Sequence, residues 1–172
     1  MEASVVREAT IEDIPRIAEI HVCSWRHAYR GIVSDYELFQ QRSVVKAIQK
    51  LEKQIQGKDE LLVFEDEKDK IVKGFITYGY CRDDDKQDSY EVYALYVQPE
   101  FIKQGIGSAL INAVKKRAQE LGIKEILLWV LKNNSFGTKF YRKHGFIEDG
   151  TQKIIIEWKE KQLRMALQIK QL

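Results

Sequence analysis

One stretch constrains the fold of this chain more than any other. Tyr90 to Val97 reads as a strand rich in Tyr and Val. Positions 105–121 carry the best helical stripe in the sequence, with Ile106, Ala109, Leu110, Ala113, Val114, Ala118 and Leu121 on one side and Gly122 as its stop. Ile126 to Leu131 is almost wholly apolar, as expected of a strand buried on both faces. Strand, helix and strand in this order form a crossover unit, which predicts two parallel strands lying side by side.

The remaining pattern is antiparallel. Ser4 to Ala9 reads as a first strand, followed by a helix with Ile14, Ile17, Ala18, His21, Val22 and Trp25 on one stripe. Its start is ambiguous: Thr10 with Asp13 resembles a capping box, whereas Pro15 favours a start nearer Asp13. One further helical region is predicted over 35–56, with Gly57 as its stop. Leu61–Phe64 and Ile71–Tyr80 flank the charged turn Glu65–Lys70, a hairpin pattern. A helix over 135–144 ends at Gly145, and strands over 146–158 and 162–169 follow. The order β α α β β β α β α β β predicts an α/β chain with a mixed, mostly antiparallel sheet of about seven strands and four helices. No repeat, low-complexity stretch or Pro/Ser/Gly-rich linker interrupts the 172 residues, so a single domain over 1–172 is expected.

Composition narrows the function classes. Lys+Arg 28 against Asp+Glu 26 leaves a net charge of +2, which gives no reason to expect a nucleic-acid or membrane-surface partner. No apolar run approaches the ~20 residues of a membrane-spanning helix. The opening Met-Glu-Ala-Ser-Val-Val-Arg lacks the pattern of a secretory signal, so a cytoplasmic location is expected. Cys23 and Cys81, with His21, His27 and His144, show no metal-ligand spacing, and no metal is expected.

Two segments carry chemistry. In Val97-Gln98-Pro99-Glu100-Phe101-Ile102-Lys103-Gln104-Gly105-Ile106-Gly107-Ser108 a strand runs through a two-glycine loop into a helix. The first turn of a helix offers unpaired N–H groups and the positive dipole end, and glycine permits close approach, so the segment suits a phosphate or pyrophosphate. A tight loop that merely starts a helix is the alternative. Leu110 excludes the G-x-G-x-x-G dinucleotide pattern, and no Gly-Lys-Ser/Thr follows. In the second segment Asn134 ends the apolar strand and can cap the next helix, with Tyr141 two turns along it.

Together the two segments resemble the GNAT superfamily of acetyl-CoA-dependent N-acetyltransferases. Its phosphate loop, Arg/Gln-x-x-Gly-x-Gly/Ala, matches Ile102-Lys103-Gln104-Gly105-Ile106-Gly107. Its second signature, Asn-x-x-Ala-x-x-Phe/Leu-Tyr then Gly-Phe, matches Asn134-Ser135-Phe136-Gly137-Thr138-Lys139-Phe140-Tyr141 and Gly145-Phe146. Arg7-Glu8-Ala9-Thr10 with Asp13, and Trp25-Arg26-His27-Ala28-Tyr29-Arg30-Gly31, look like bacterial members. Ile102 departs from the family's Arg or Gln, and Gly137 from its Ala.

The resemblance implies a three-layer fold whose parallel strands 90–97 and 126–131 splay around acetyl-CoA. It implies cofactor contacts from Leu95, Tyr96, Val97, Lys103, Gln104, Gly105, Ile106, Gly107, Ser108, Asn134 and Tyr141. It further implies Tyr141 as general acid, Glu91 as general base through a water with a raised pKa, and Trp25, Tyr29 and Glu91 at the amine site. The acidic run Asp83, Asp84, Asp85 and Asp88 would either attract a cationic amine or form a solvated loop. Lys132, Lys139, Arg142 and Lys143 would either meet the 3′-phosphate of CoA or be a solvated face. A small-molecule or peptide amine is the expected partner, and a homodimer is the assembly common in relatives. The rival readings are a non-catalytic acyl-CoA sensor and an interaction module on the same fold.

Overall fold

The computed structural model describes residues 4–57 and 59–170. The strands are β1 (Ser4–Glu8), β2 (Glu60–Asp66), β3 (Val72–Tyr80), β4 (Tyr90–Val97), β5 (Glu125–Leu131), β6 (Ile147–Ile155) and β7 (Glu160–Gln168). The helices are α1 (Ile14–Tyr29), α2 (Val44–Ile55), α3 (Ile106–Glu120) and α4 (Ser135–Lys143). The strands form a seven-stranded sheet in the order β1-β2-β3-β4-β5-β7-β6. Among these seven strands β4 and β5 pair in parallel, and the other pairs are antiparallel. The mixed α/β sheet expected from the pattern is therefore present, parallel pair included.

Each face of the sheet buries its own core. On one face α3 contributes Ile106, Leu110, Ile111, Val114 and Ala118 against Ile76, Val92, Ile126 and Leu128. On the other, Ile14, Ile17 and Ala18 of α1 and Ala47 and Leu51 of α2 pack on Val63 and Phe75. The side-chain periods of strand and helix produce this division. Gly74 on β3 brings α3 close: a Cβ there would stand 2.9 Å from Ile106 Cγ2.

Both start signals of the first helix are used. Residues Ile11–Asp13 form a 3-10 turn, and the Asp13 carboxylate accepts from the Thr10 N–H at 2.8 Å. The α-helix then begins with Pro15 in its first turn. The single helix expected over 35–56 is corrected to two segments, a π-type turn over Glu37–Gln41 and then α2. Ser43 separates them: its backbone is extended, and its hydroxyl caps α2 by accepting from the Lys46 N–H at 3.3 Å. Arg26 fixes the joint by donating to the carbonyls of Leu38 and Arg42, both at 3.1 Å.

The sheet opens at a bulge. Thr77 pairs with Ala94 but Tyr78 pairs with Val92, so Tyr93 is the extra residue. A bulge bends its strand. Pairing of β4 with β5 ends at the same level, with Val92 opposite Leu128. Beyond it β4 stays on β3 as far as Val97, and β5 stays on β7 as far as Leu131. The two parallel strands thus part, and Tyr93–Val97 faces Trp129–Leu131 across a gap.

Candidate active site

The gap is a cavity of about 370 Å³, bounded by β4, β5, the start of α3 and the inner side of α4. Its β4 wall offers free backbone groups. The Gln98 N–H donates to the Lys73 carbonyl at 2.9 Å, which fixes the phase of the β3–β4 ladder. Antiparallel bonding alternates, so Ala94 and Tyr96 turn their amides to β3, while Leu95 and Val97 turn theirs to the gap. One of these groups is already used: the Ser24 hydroxyl donates to the Val97 carbonyl at 2.9 Å.

The floor is the loop that opens α3. Gly105, at φ 83°, precedes the first helical residue, and Lys103, at φ 63°, is also left-handed. A left-handed residue next to a right-handed helical one turns successive N–H groups toward one side, the geometry of an anion nest, and Gly105 stands next to helical Ile106 in this way. A Cβ on Gly105 would meet nothing within 4 Å, so backbone conformation rather than space requires glycine. Gly107 differs. A Cβ there would lie 3.2 Å from the Phe140 ring, so this glycine lets α4 pack closely onto α3.

Asn134 caps α4, its side-chain oxygen accepting from the Gly137 N–H at 2.9 Å. Tyr141 projects from α4 into the cavity between the rings of Phe140 and Phe146, at 5.3 and 5.8 Å. Its hydroxyl makes no hydrogen bond to a described residue. Burial raises its pKa well above that of a free phenol, and the Tyr29 phenol adds to the effect. Tyr29 and Tyr96 meet at 3.4 Å between hydroxyl oxygens on the same cavity wall, and burial raises both. The site therefore holds phenols that keep their protons at neutral pH.

The structure gathers most of the expected site residues and separates a few. Leu95, Tyr96, Val97, Lys103, Ile106, Gly107, Asn134, Tyr141 and Tyr29 line the gap. Gln104, Gly105 and Ser108 do not line it; Ser108 Oγ lies 3.0 Å from His144 Nε2 at the start of α3. Trp25 is core, 4% exposed, and lies edge-on to Tyr29 with ring centroids 4.8 Å apart. Glu91 is 8% exposed, one residue before the parting, and its carboxylate accepts from the Arg82 N–H at 3.1 Å. Among the described residues, no carboxylate lines the gap.

The acidic loop is neither free nor simply solvated. Arg164, 4% exposed, draws Asp83 and Asp85 to itself at 3.1 and 2.7 Å and Asp149 at 2.6 Å. Asp83 also accepts from the Trp129 indole at 3.0 Å, which anchors one wall of the gap. Of the basic residues expected near the mouth, Arg142 pairs with Glu148. Ser24, Tyr93 and Trp129 also line the site and escape sequence reasoning. Trp129 lies inside an apolar run and Tyr93 sits at a bulge that hides its phase; Ser24 carries no spacing signal at all. Among the described residues no group of three or more His, Cys, Asp or Glu could hold a metal ion, and no helix is long and apolar enough to cross a membrane.

Known proteins share this arrangement. Residues 14–146 match the family described as Acetyltransferase (GNAT) family. The spermidine N(1)-acetyltransferase of Thermoplasma acidophilum is 30% identical over 148 residues, 84% of this chain and 89% of that protein. The uncharacterized N-acetyltransferase YuaI of Bacillus subtilis is 29% identical over 136 residues, 75% of this chain and 72% of that one. A crystal structure of the PaiA N-acetyltransferase of Thermoplasma acidophilum in complex with coenzyme A superposes with a TM-score of 0.75 at 25% identity, covering 96% of this chain and 99% of that chain.

Proposed function

From the premise that this chain belongs to the acetyltransferase (GNAT) family, as an acetyl-CoA-dependent N-acetyltransferase, we propose that it passes the acetyl group directly to a primary amine with both reactants bound at once. The observation that carries this reading is the parting of β4 from β5 after Val92 and Leu128, with free β4 amides on one side and the α3 nest below. These residues fit the cofactor: the backbone of Leu95 and Val97 would hold an extended arm, and the N–H groups from Gln104 to Ser108 its phosphates. Acetyl-CoA supplies a thioester whose carbonyl carbon accepts the amine and whose sulfur leaves.

The chain supplies proton handling. An alkyl amine has a pKa of about 10 and must shed a proton to attack. Glu91 is the proposed base, acting through a water because it stands behind the closed end of the gap. Tyr141 is the proposed acid, its raised pKa keeping the proton available for the departing sulfur. The ammonium passes one proton through the water to Glu91 and on to solvent. The neutral nitrogen then gains a C–N bond and sheds its second proton as the C–S bond breaks. The sulfur takes a proton from Tyr141, and the nitrogen's second proton restores the phenol. Among the described residues no cysteine lines the gap, and the Ser24 hydroxyl is bonded to Val97, so no covalent enzyme intermediate is invoked. The spermidine acetyltransferase supports an aliphatic amine as acceptor class. Thiol release from acetyl-CoA, measured across a panel of primary amines, tests the reading. Intersecting initial-rate lines are expected, and parallel lines refute direct transfer.

A further inference from the structure

A second cavity, of about 160 Å³, lies between α1 and α2 on the far side of the aromatic wall of the gap. Its α1 side presents His21, Val22 and Trp25; its α2 side presents Arg42, Ser43, Lys46, Ala47 and Lys50. Lys46 and Lys50 stand one turn apart on α2, and Arg42 stands just ahead of the capping Ser43, so three cations gather around one cavity. Like charges four residues apart destabilise a helix. Yet none of the three makes an ion pair with a described residue. The nearby acids are committed elsewhere: Asp59 accepts from Arg82 at 2.8 Å, and Glu37 from the Trp158 indole at 3.3 Å.

Arg42 is the most telling of the three. Its guanidinium lies 4.5 Å from the Trp25 ring centroid and 5.7 Å from that of Trp158, so aromatic rings hold its position. Its side-chain N–H groups donate to no described residue. A planar fork of donors, held in place and without an acceptor, matches the geometry of carboxylate and phosphate. Burial lowers the pKa of Lys50, with Arg42 and Arg82 adding to the effect and Asp59 opposing it, and burial lowers that of His21, with Lys50 and Arg42 adding to it.

We propose that the cavity between α1 and α2 binds an oxyanion, a phosphate or a carboxylate group, held by Arg42, Lys46 and Lys50. The oxyanion is either the acidic tail of the amine acceptor or a free anion. Only the first source rests on the proposed transfer reaction. His21 is 5.2 Å from Tyr96 and Trp25 is 4.8 Å from Tyr29, ring to ring, so a wall two rings deep separates the anion from the reacting end of the gap.

Calorimetric titration of the whole chain with inorganic phosphate, against sodium chloride of equal ionic strength, reads the site directly. Saturable binding below about 1 mM is expected, weakened about tenfold or more in Arg42→Gln and in Lys46→Gln. Lys46 is exposed, so its variant keeps the test valid should Arg42→Gln fold poorly. Absence of saturable phosphate binding to the wild type, or binding untouched by both substitutions, overturns the proposal. A primary amine bearing a carboxylate and its carboxamide then separate the sources. A carboxylate preference in kcat/KM that vanishes in Lys46→Gln identifies the acceptor's tail; phosphate binding without such a preference identifies a free anion. A chain that binds phosphate but acetylates no amine retains the oxyanion site and refutes the transfer reading instead.

Discussion

Replacing Tyr141 by Phe removes one oxygen from the wall of the gap. The ring contacts with Phe140 and Phe146 remain, and the hydroxyl has no described hydrogen-bond partner to strand. Folding stability should therefore change by less than about 1 kcal/mol. In a chain of this size that is a Tm change of at most ~4 °C. Chemistry should suffer far more. A lost general acid costs roughly 10²–10⁴ in rate, or about 3–5 kcal/mol of barrier. Because burial holds the Tyr141 proton well above its usual range, the loss should be flat with pH from about 6 to 9. Thiol release at saturating amine, with acetyl-CoA affinity measured alongside, separates the two effects. A Tyr141→Phe enzyme with kcat within about threefold of wild type and unchanged Tm would refute the assignment of the acid.

Glu91→Gln should lower kcat by roughly 10²–10⁴ at pH 7, with much of the loss recovered near pH 10 where the amine sheds its proton unaided; a pH-independent loss argues against a base. Gly107→Ala should press its methyl on the Phe140 ring and weaken acetyl-CoA, and its effect on stability should depend on that ring, changing in the double variant with Phe140→Leu. Strict additivity in that denaturation cycle would contradict the contact. His21 is held neutral by burial, its pKa lowered from 6.5 to about 4. Between those values the unfolded chain binds more protons, so this contribution is complete above about pH 6.5 and fades as pH falls toward 4. The loss is on the order of 3 kcal/mol, and urea midpoints across that range should flatten in His21→Phe.

The fold was legible where one residue pattern meant one thing. The stripe from Ile106 to Ala118 and the apolar run from Ile126 fixed the crossover, and both are buried as the periodicity requires. Region 35–56 misled because its apolar spacing continues through Ser43, whose capping hydroxyl breaks the helix by a local hydrogen bond that periodicity does not register. The lining of the gap was legible along Leu95 and Val97, whose free backbone groups face it. The site was illegible where side chains meet across the fold. The acidic loop looks solvated in sequence because Arg164, which draws in Asp83 and Asp85, lies some 80 residues away. Gly107 reads as a phosphate-loop glycine, yet Phe140 occupies the space its missing side chain leaves.

A crystal structure of the chain with acetyl-CoA tests the central claim most directly. The arm should lie between Tyr93–Val97 and Trp129–Leu131, its amides paired with Leu95 and Val97, and its phosphates on the first turn of α3. Density for the molecule at any other place, or β4 and β5 closed together beyond Val92 with the ligand bound, would contradict the account.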